Sequence, residues 1–211
     1  ISIMGGYNQE ESHKESQWSQ RTDVLLENLP SLSGSTGTAS VTDSFDEYAI
    51  RGLFYRVNYT YDGKYMFEAN GRYDGTSRFP KDSRFGFFPS FSVGWRISNE
   101  AFMKGTEEWL NNLKIRASYG EVGNDVYKVN GVKQRFLYQA VWTQITNDYH
   151  FGTTGYTGIY ESQYPNYAVT WERAHKYNLG LEFGLWNGLL NGNIDVFYEK
   201  RNDILTPYFT R

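Results

Sequence analysis

The chain has 211 residues, 24 Asp and Glu against 21 Lys and Arg, a formal net charge of −3, no Cys, and an aromatic fraction of 18% carried by 18 Tyr, 14 Phe and 6 Trp. The near-balanced charge, with no Lys/Arg cluster, excludes an electrostatic footprint for nucleic acid, and the missing thiols exclude disulfides, thiolate catalysis and Cys-based zinc or iron–sulfur centres. No run approaches the roughly 18 apolar residues of a spanning helix, while Tyr and Trp suit a membrane–water boundary, where the ring is buried and its OH or NH stays wet.

Apolar–polar alternation, the period of a strand with one greasy and one wet face, recurs about seven times. It opens at Ile1-Ser2-Ile3-Met4 and runs to about Ser12, with no initiator Met, basic region or signal core in front, which reads as a piece of a longer chain. A Gly/Ser/Thr-rich stretch, Trp18 to Phe45, reads as a flexible loop before the second strand, Tyr48 to Tyr61. Asp62-Gly63 has the chemistry of a tight hairpin turn with positive φ. In the third strand, Lys64 to Gly75, the residues Tyr65, Phe67, Ala69, Gly71 and Tyr73 share one face, and Met66, Glu68, Asn70, Arg72 and Asp74 the other. A moderate loop, Thr76 to Ser83, leads to the fourth strand, Arg84 to Ile97. Ser98 to Met103 reads as a capped helical turn, which predicts one short helix between Ser98 and Asn112. The fifth strand, Leu113 to Glu121, precedes a very long loop, Val122 to Ala174, and the last two strands, Lys176 to Leu185 and Leu190 to Lys200, are joined at Asn187-Gly188.

Long and short connections alternate, as in bacterial outer-membrane barrels with long extracellular loops and short periplasmic turns. The expected fold is therefore an all-β antiparallel transmembrane β-barrel wall. Its extracellular loops would lie near residues 18–45, 76–83 and 122–174, and its periplasmic turns near 62–63, 98–112 and 186–189. That orientation puts rings at both ends of the apolar faces: Tyr7, Tyr73, Phe85, Tyr119, Tyr177 and Tyr198 outside, Tyr59, Tyr61, Trp95 and Phe183 inside. The stretch from Tyr65 to Tyr73, tilted near 40°, spans roughly 23 Å of the roughly 25 Å apolar band. Arg56, Glu68, Arg72, Arg96, Lys114, Arg116, Lys176, Glu182 and Asp195 fall on the wet parity, whereas Arg173 and His175 break it and would stand above the band. Phe54, Met66, Phe88 and Phe197 point to the wet side and predict something packed against it. About seven strands is below the eight-strand minimum for bacterial barrels, so this wall must be part of a larger one.

Catalytic and metal chemistry find little support. His13, His150 and His175 lack metal-site spacing. Ser31 to Ser44 contains no nucleophile elbow. Gly123-Asn124-Asp125 and Asn147-Asp148 read as turns rather than calcium loops, and Gly192 sits mid-strand without a following helix. The expectation is a non-enzyme with no cofactor, no metal and no catalytic residue. The loop Val122 to Ala174 carries rings among Asn, Gln, Thr and Gly; of these Trp142, Tyr149, Tyr156 and Tyr160 are the candidate ligand-binding residues, with sugar faces as the natural stacking partners.

Several stretches carry a resemblance. They are Phe54-Tyr55-Arg56-Val57-Asn58-Tyr59 with Tyr61-Asp62-Gly63-Lys64-Tyr65; Tyr73-Asp74-Gly75-Thr76-Ser77-Arg78-Phe79; and Phe88-Pro89-Ser90-Phe91-Ser92-Val93-Gly94-Trp95-Arg96-Ile97-Ser98. Trp109 to Gly120 and Thr170-Trp171-Glu172 leading into Tyr177 to Phe183 continue the series. In this order they resemble the C-terminal barrel of SusC/RagA-like TonB-dependent transporters of the Bacteroidetes outer membrane. The resemblance implies a 22-stranded barrel closed around a plug, with plug and remaining strands outside this chain. It also implies active import of a large nutrient, oligosaccharide or peptide. The partners it implies are the rest of the barrel and its plug, a SusD-like surface lipoprotein, the TonB complex acting through the plug, and outer-membrane lipid and lipopolysaccharide. A passive porin or barrel adhesin shares the wall without the plug, and a soluble glycan-binding β-sandwich shares the alternation and the tyrosines.

Overall fold

A computed structural model of the chain describes residues 1–28, 30–129 and 132–206. Its strands are β1 (Ser2–Arg21), β2 (Ala39–Tyr61), β3 (Tyr65–Thr76), β4 (Phe85–Arg96), β5 (Leu110–Asn124), β6 (Tyr127–Val129), β7 (Val132–Gln134), β8 (Val141–Phe151), β9 (Thr154–Gln163), β10 (Glu172–Leu185) and β11 (Leu190–Asn202). Seven of these form one sheet in the order β1-β2-β3-β4-β5-β10-β11, while β6-β7 and β8-β9 are separate hairpins. From β2 onward each neighbouring pair of the large sheet is antiparallel. Residue contacts divide the chain into two units, one of Ile1–Gln9 with the chain from Ile50, the other of Glu10–Ala49.

In the first unit the period-2 pattern becomes two surfaces, because residues paired across strands share a face. Three cross-strand rows make one surface: Val57-Ala69-Phe91-Tyr119-Tyr177-Tyr198, Tyr59-Phe67-Val93-Ala117-Leu179-Val196 and Tyr61-Tyr65-Trp95-Ile115-Leu181-Ile194. The rows between them are polar: Arg56-Asn70-Ser90-Gly120-Lys176-Glu199 and Asn58-Glu68-Ser92-Ser118-Asn178-Phe197. The apolar surface is bare, with Tyr65 46% and Phe67 42% exposed. It is far larger than the few hundred Å² that proteins surrounded by water leave open.

Two of the three connections at the β2–β3 end are short. Asp62 and Gly63 both take left-handed φ (50° and 63°), and Lys64 N–H closes the turn on the Tyr61 carbonyl at 3.0 Å. The β10–β11 connection is broader than an Asn187-Gly188 pair, since Trp186, Asn187 and Gly188 all have positive φ and Leu185 pairs with Leu190. The short helix expected after Ser98 takes the form of two successive 3₁₀ turns, Ile97–Asn99 and Ala101–Met103, neither with a side-chain cap. They are held instead by Glu100, which accepts hydrogen bonds from the Tyr65 hydroxyl (2.6 Å) and Trp95 Nε1 (3.0 Å).

The opposite end holds more order than alternation reveals. β1 runs to Arg21 and β2 starts at Ala39, so strand structure enters the stretch from Trp18 to Phe45 from both sides. The stretch Val122 to Ala174 contains the two hairpins β6–β7 and β8–β9. Most described residues of the β8–β9 hairpin are exposed, and it carries no sustained apolar–polar alternation to betray it.

The second unit, Glu10–Ala49, is a two-stranded ribbon. Ser16 and Ser44 Oγ lie 2.5 Å apart, and the Tyr48 hydroxyl donates to Glu10 at 2.5 Å. Its tip is closed by Thr36 N–H to the Asp23 carbonyl and by Arg21 Nε to the Gly37 carbonyl (3.0 and 2.9 Å). Eight of its residues are carboxylates and only Lys14 and Arg21 are cations, which gives it net negative charge.

Candidate functional site

The polar surface carries ion pairs at strand spacing. Arg56 Nη2 donates to Glu68 at 2.6 Å, and Asn70 holds the other Glu68 oxygen at 2.7 Å. Arg72 pairs with Asp74 at 2.9 Å, and Arg116 Nη2 reaches both Asp195 oxygens at 2.8 Å. Glu182 sits between Arg116 (3.3 Å) and Lys114 (3.4 Å). Asn58, Glu68, Ser92, Lys114, Arg116 and Asn178 line a concavity of about 560 Å³ on this surface. Exposed pairs of this kind stabilise by roughly 0.2–1 kcal/mol each. Their main consequence is chemical: one surface suits water or polar protein, while the other is apolar and bare.

At the long-loop end the sheet parts along a seam. β3–β4 pairing continues up to Gly75–Phe85 and β5–β10 pairing up to Asn124–Glu172, but β4–β5 pairing stops at Ser90–Gly120. Aromatic packing fills the opening. Phe88 and Phe79 each meet the Trp171 ring edge-on, with centroids 5.2 and 5.4 Å away, and with Val169 they form the buried core among the described residues. The Phe88 ring lies where a Cβ on Gly86 or Gly123 would stand, 2.5 and 2.2 Å from the nearest ring carbon, so only glycine admits it. Side chains serve carbonyls at the start of β4: Trp171 Nε1 donates to that of Arg84, just before the strand (3.1 Å), and Arg173 Nη1 to that of Phe87 (3.2 Å). The buried Arg78–Asp125 ion pair ties the β3–β4 loop to the end of β5.

The seam accounts for one wet-side apolar residue: Phe88 is covered by this chain's own loop. Phe54 packs across Gly6 with the Arg72 guanidinium 5.9 Å from its ring centre, Met66 borders the polar concavity, and Phe197 is 79% exposed. Asp125 of the Gly123-Asn124-Asp125 turn is engaged by Arg78, and Asn124 caps the turn through its Oδ1 to Val126 N–H (3.1 Å). The side chain of Asn147 lies outside the described residues.

The candidate ligand residues stand on the β8–β9 hairpin. Tyr149 pairs directly with Tyr156, and Tyr160 pairs with Thr143 on the same face, where the Phe151 ring meets Tyr156 edge-on at 5.5 Å. Trp142 pairs with Glu161 and lies on the other face. The four are 46–61% exposed, so the rings are not consumed in packing the loop onto itself. The histidines are separate. His13 lies between Glu15 (3.1 Å) and Glu47 (3.6 Å), His150 is exposed opposite Gly155, and His175 is 3.1 Å from the Tyr119 hydroxyl. Sequence patterning did not reveal the seam: Arg78–Asp125 and Phe88–Trp171 join residues 47 or more positions apart, and only the Trp, the buried-type Phe and the two glycines hint at it.

Residues 3–211 match the family described as TonB dependent receptor-like, beta-barrel. The TonB-dependent receptor SusC of Bacteroides thetaiotaomicron is 36% identical over 155 residues, covering 72% of this chain and 15% of that protein. TonB-dependent receptor P26 of Formosa agariphila is 34% identical over 178 residues, covering 82% of this chain and 17% of its own. Among solved structures, the RagAB peptide importer in its closed-closed state superposes with a TM-score of 0.76 at 25% identity, over 96% of this chain and 22% of that one. The chain thus spans a small share of the proteins it matches. With a two-faced antiparallel wall, tight turns at one end and a braced loop cluster at the other, it belongs to the TonB-dependent receptor β-barrel family, as a wall segment of the SusC/RagA-like kind.

Proposed function

We propose that this segment is part of the wall of a plugged outer-membrane barrel that imports a large nutrient, oligosaccharide or peptide, using force delivered by the TonB complex to the plug. The apolar surface faces lipid and the ion-paired surface faces the lumen and plug. The tight turns are periplasmic and the braced loops extracellular, under a SusD-like lipoprotein. The single observation that carries the reading is the segregation itself: three apolar rows left bare beside ion-paired polar ones. A wall with one wet and one hydrocarbon face is what a spanning barrel requires. The rings Tyr149, Tyr156 and Tyr160 act as a ligand-stacking face, with Trp142 contacting from the opposite side. RagAB is described as a peptide importer, which supports peptide as one of the two cargo classes.

The test is uptake of labelled oligosaccharides and peptides of graded length by cells making the intact protein, with the TonB complex energised or uncoupled. Accumulation that stops on uncoupling supports the reading. Energy-independent passage of small solutes, or conductance of an open pore in planar bilayers, identifies a porin instead.

A further inference from the structure

The bare apolar surface is interrupted at its long-loop end by a hollow of about 310 Å³, lined by Tyr7, Leu53, Tyr73 and Phe85 with Arg51 at its rim. The lining is hydrocarbon. Tyr73 and Phe85 stack at 5.2 Å with 13° between their planes, and Leu53 pairs with Tyr73 across the β2–β3 ladder. The Tyr7 hydroxyl donates to Gln9 at 2.6 Å, two residues nearer the long-loop end, so its ring lies with the apolar band and its polar tip points out of it.

Arg51 differs from five other arginines of these strands. Arg56, Arg72, Arg116, Arg173 and Arg201 each hold a carboxylate. Arg51 is exposed, has no acidic partner among the described residues, and rests over the Phe85 ring at 5.1 Å. Gly75, between Arg51 and Phe85 in the register, makes the arrangement possible, since its Cβ would stand 2.3 Å from the Phe85 ring. A guanidinium fixed on a ring keeps its remaining N–H fork open, and that planar fork fits phosphate oxygens two at a time.

We propose that this hollow is a binding site for a phosphorylated acyl lipid of the outer leaflet, the phosphate on Arg51 and an acyl chain along Leu53, Tyr73 and Phe85. The assignment rests on the orientation proposed above, which puts this end of the wall in the leaflet built of lipid A. Both halves of the amphiphile are complemented: the unpaired cation stands at the polar edge and the hollow lies on the hydrocarbon side of it. Lipid A phosphate is therefore the occupant to which the geometry points, rather than a soluble anion, for which the apolar hollow would be superfluous.

The test uses the intact receptor, extracted from outer membranes and stripped of lipid in detergent, with monophosphoryl lipid A as the probe and native mass spectrometry as the readout. Arg51→Gln should weaken lipid A retention about tenfold, the effect of losing a charge-assisted hydrogen-bonded contact. Arg51→Lys should retain an intermediate share. Chemically dephosphorylated lipid A should bind the unaltered receptor as weakly as the phosphorylated lipid binds Arg51→Gln. Heat-modifiable migration on gels reports that each variant is folded. Equal retention by Arg51→Gln, equal binding of the dephosphorylated lipid, or displacement by phosphatidylglycerol at equal concentration overturns the site. Absence of the receptor from the outer-membrane fraction overturns the orientation as well, so the two failures are told apart.

Discussion

Glu100 is the residue whose chemistry most directly fixes the turn end. The hydrogen bond from the Tyr65 hydroxyl, then that from Trp95 Nε1, and the nearby Lys64 ammonium hold its carboxyl below the ordinary glutamate value of 4.5. A carboxyl lowered by folding binds protons less readily in the native state, so its stabilising effect is present above that ordinary value and is lost as pH falls through the lowered one. The protection of Ile97–Met103 against hydrogen exchange, corrected for the intrinsic pH dependence of exchange, should therefore fall in the intact protein on acidification below about pH 4.5. Glu100→Gln should exchange faster at neutral pH and show no acid step of its own. A step of equal size in the variant would remove Glu100 as its source. The Arg78–Asp125 pair makes a sharper case because it is buried. Asp125→Asn leaves the Arg78 guanidinium with a neutral amide, and breaking such a pair from one side costs roughly 3–5 kcal/mol. Limited proteolysis should open the β3–β4 loop in Asp125→Asn and much less in the double variant Asp125→Asn/Arg78→Gln, since the double change also removes the buried cation that has lost its carboxylate.

At the scale of elements, the two surfaces of the sheet supply the decisive contrast, because neighbouring positions on β3 have opposite surroundings. Ala69 lies in the row Val57-Ala69-Phe91-Tyr119, and Asn70 in the row Arg56-Asn70-Ser90. Ala69→Arg should reduce outer-membrane assembly of the intact protein by an amount equivalent to roughly 2–4 kcal/mol, the midplane cost of a cation in hydrocarbon. Asn70→Arg should assemble nearly normally; equal yields on heat-modifiability gels would contradict the assigned faces. This contrast was legible in the sequence because a single side-chain period decides which residues share a face. The strands of the seven-stranded sheet were legible for the same reason, apart from their ends. What escaped were the continuation of β1 and β2 and the hairpins β6–β7 and β8–β9, which lie inside the stretches read as loops. The seam escaped for a different reason. It depends on β4–β5 pairing ending at Ser90–Gly120, and nothing local to Phe88 announces that its partner is Trp171.

For the whole molecule, the question is whether the ring-bearing loop is part of the scaffold or mounted on it. The candidate ligand residues were legible as a group, and parity alone separates Trp142 from Tyr149 on β8; what patterning could not show is that Tyr156 and Tyr160 lie on the Tyr149 side, because that depends on how β8 pairs with β9. The β8–β9 hairpin is closed by its own ladder and by Thr143 Oγ1 to Ser162 Oγ at 2.8 Å, whereas the seam core of Phe79, Phe88, Val169 and Trp171 draws nothing from it. Replacing residues 141–163 in the intact protein by a short Gly/Ser link should therefore leave heat-modifiable assembly at the wild-type level, since a flexible loop of changed length alters closure entropy by only about 0.6 kcal/mol per doubling. Import should respond differently. If the exposed rings stack on cargo, each contributes about 1 kcal/mol of aromatic contact, and the triple change Tyr149→Ala/Tyr156→Ala/Tyr160→Ala should raise the half-saturating cargo concentration by roughly 100-fold. Trp142→Ala alone should raise it by less. Uptake curves that superpose for the triple variant and the unaltered receptor would place cargo recognition elsewhere on the loop end, while impaired assembly of the hairpin deletion would show that the hairpin braces the wall.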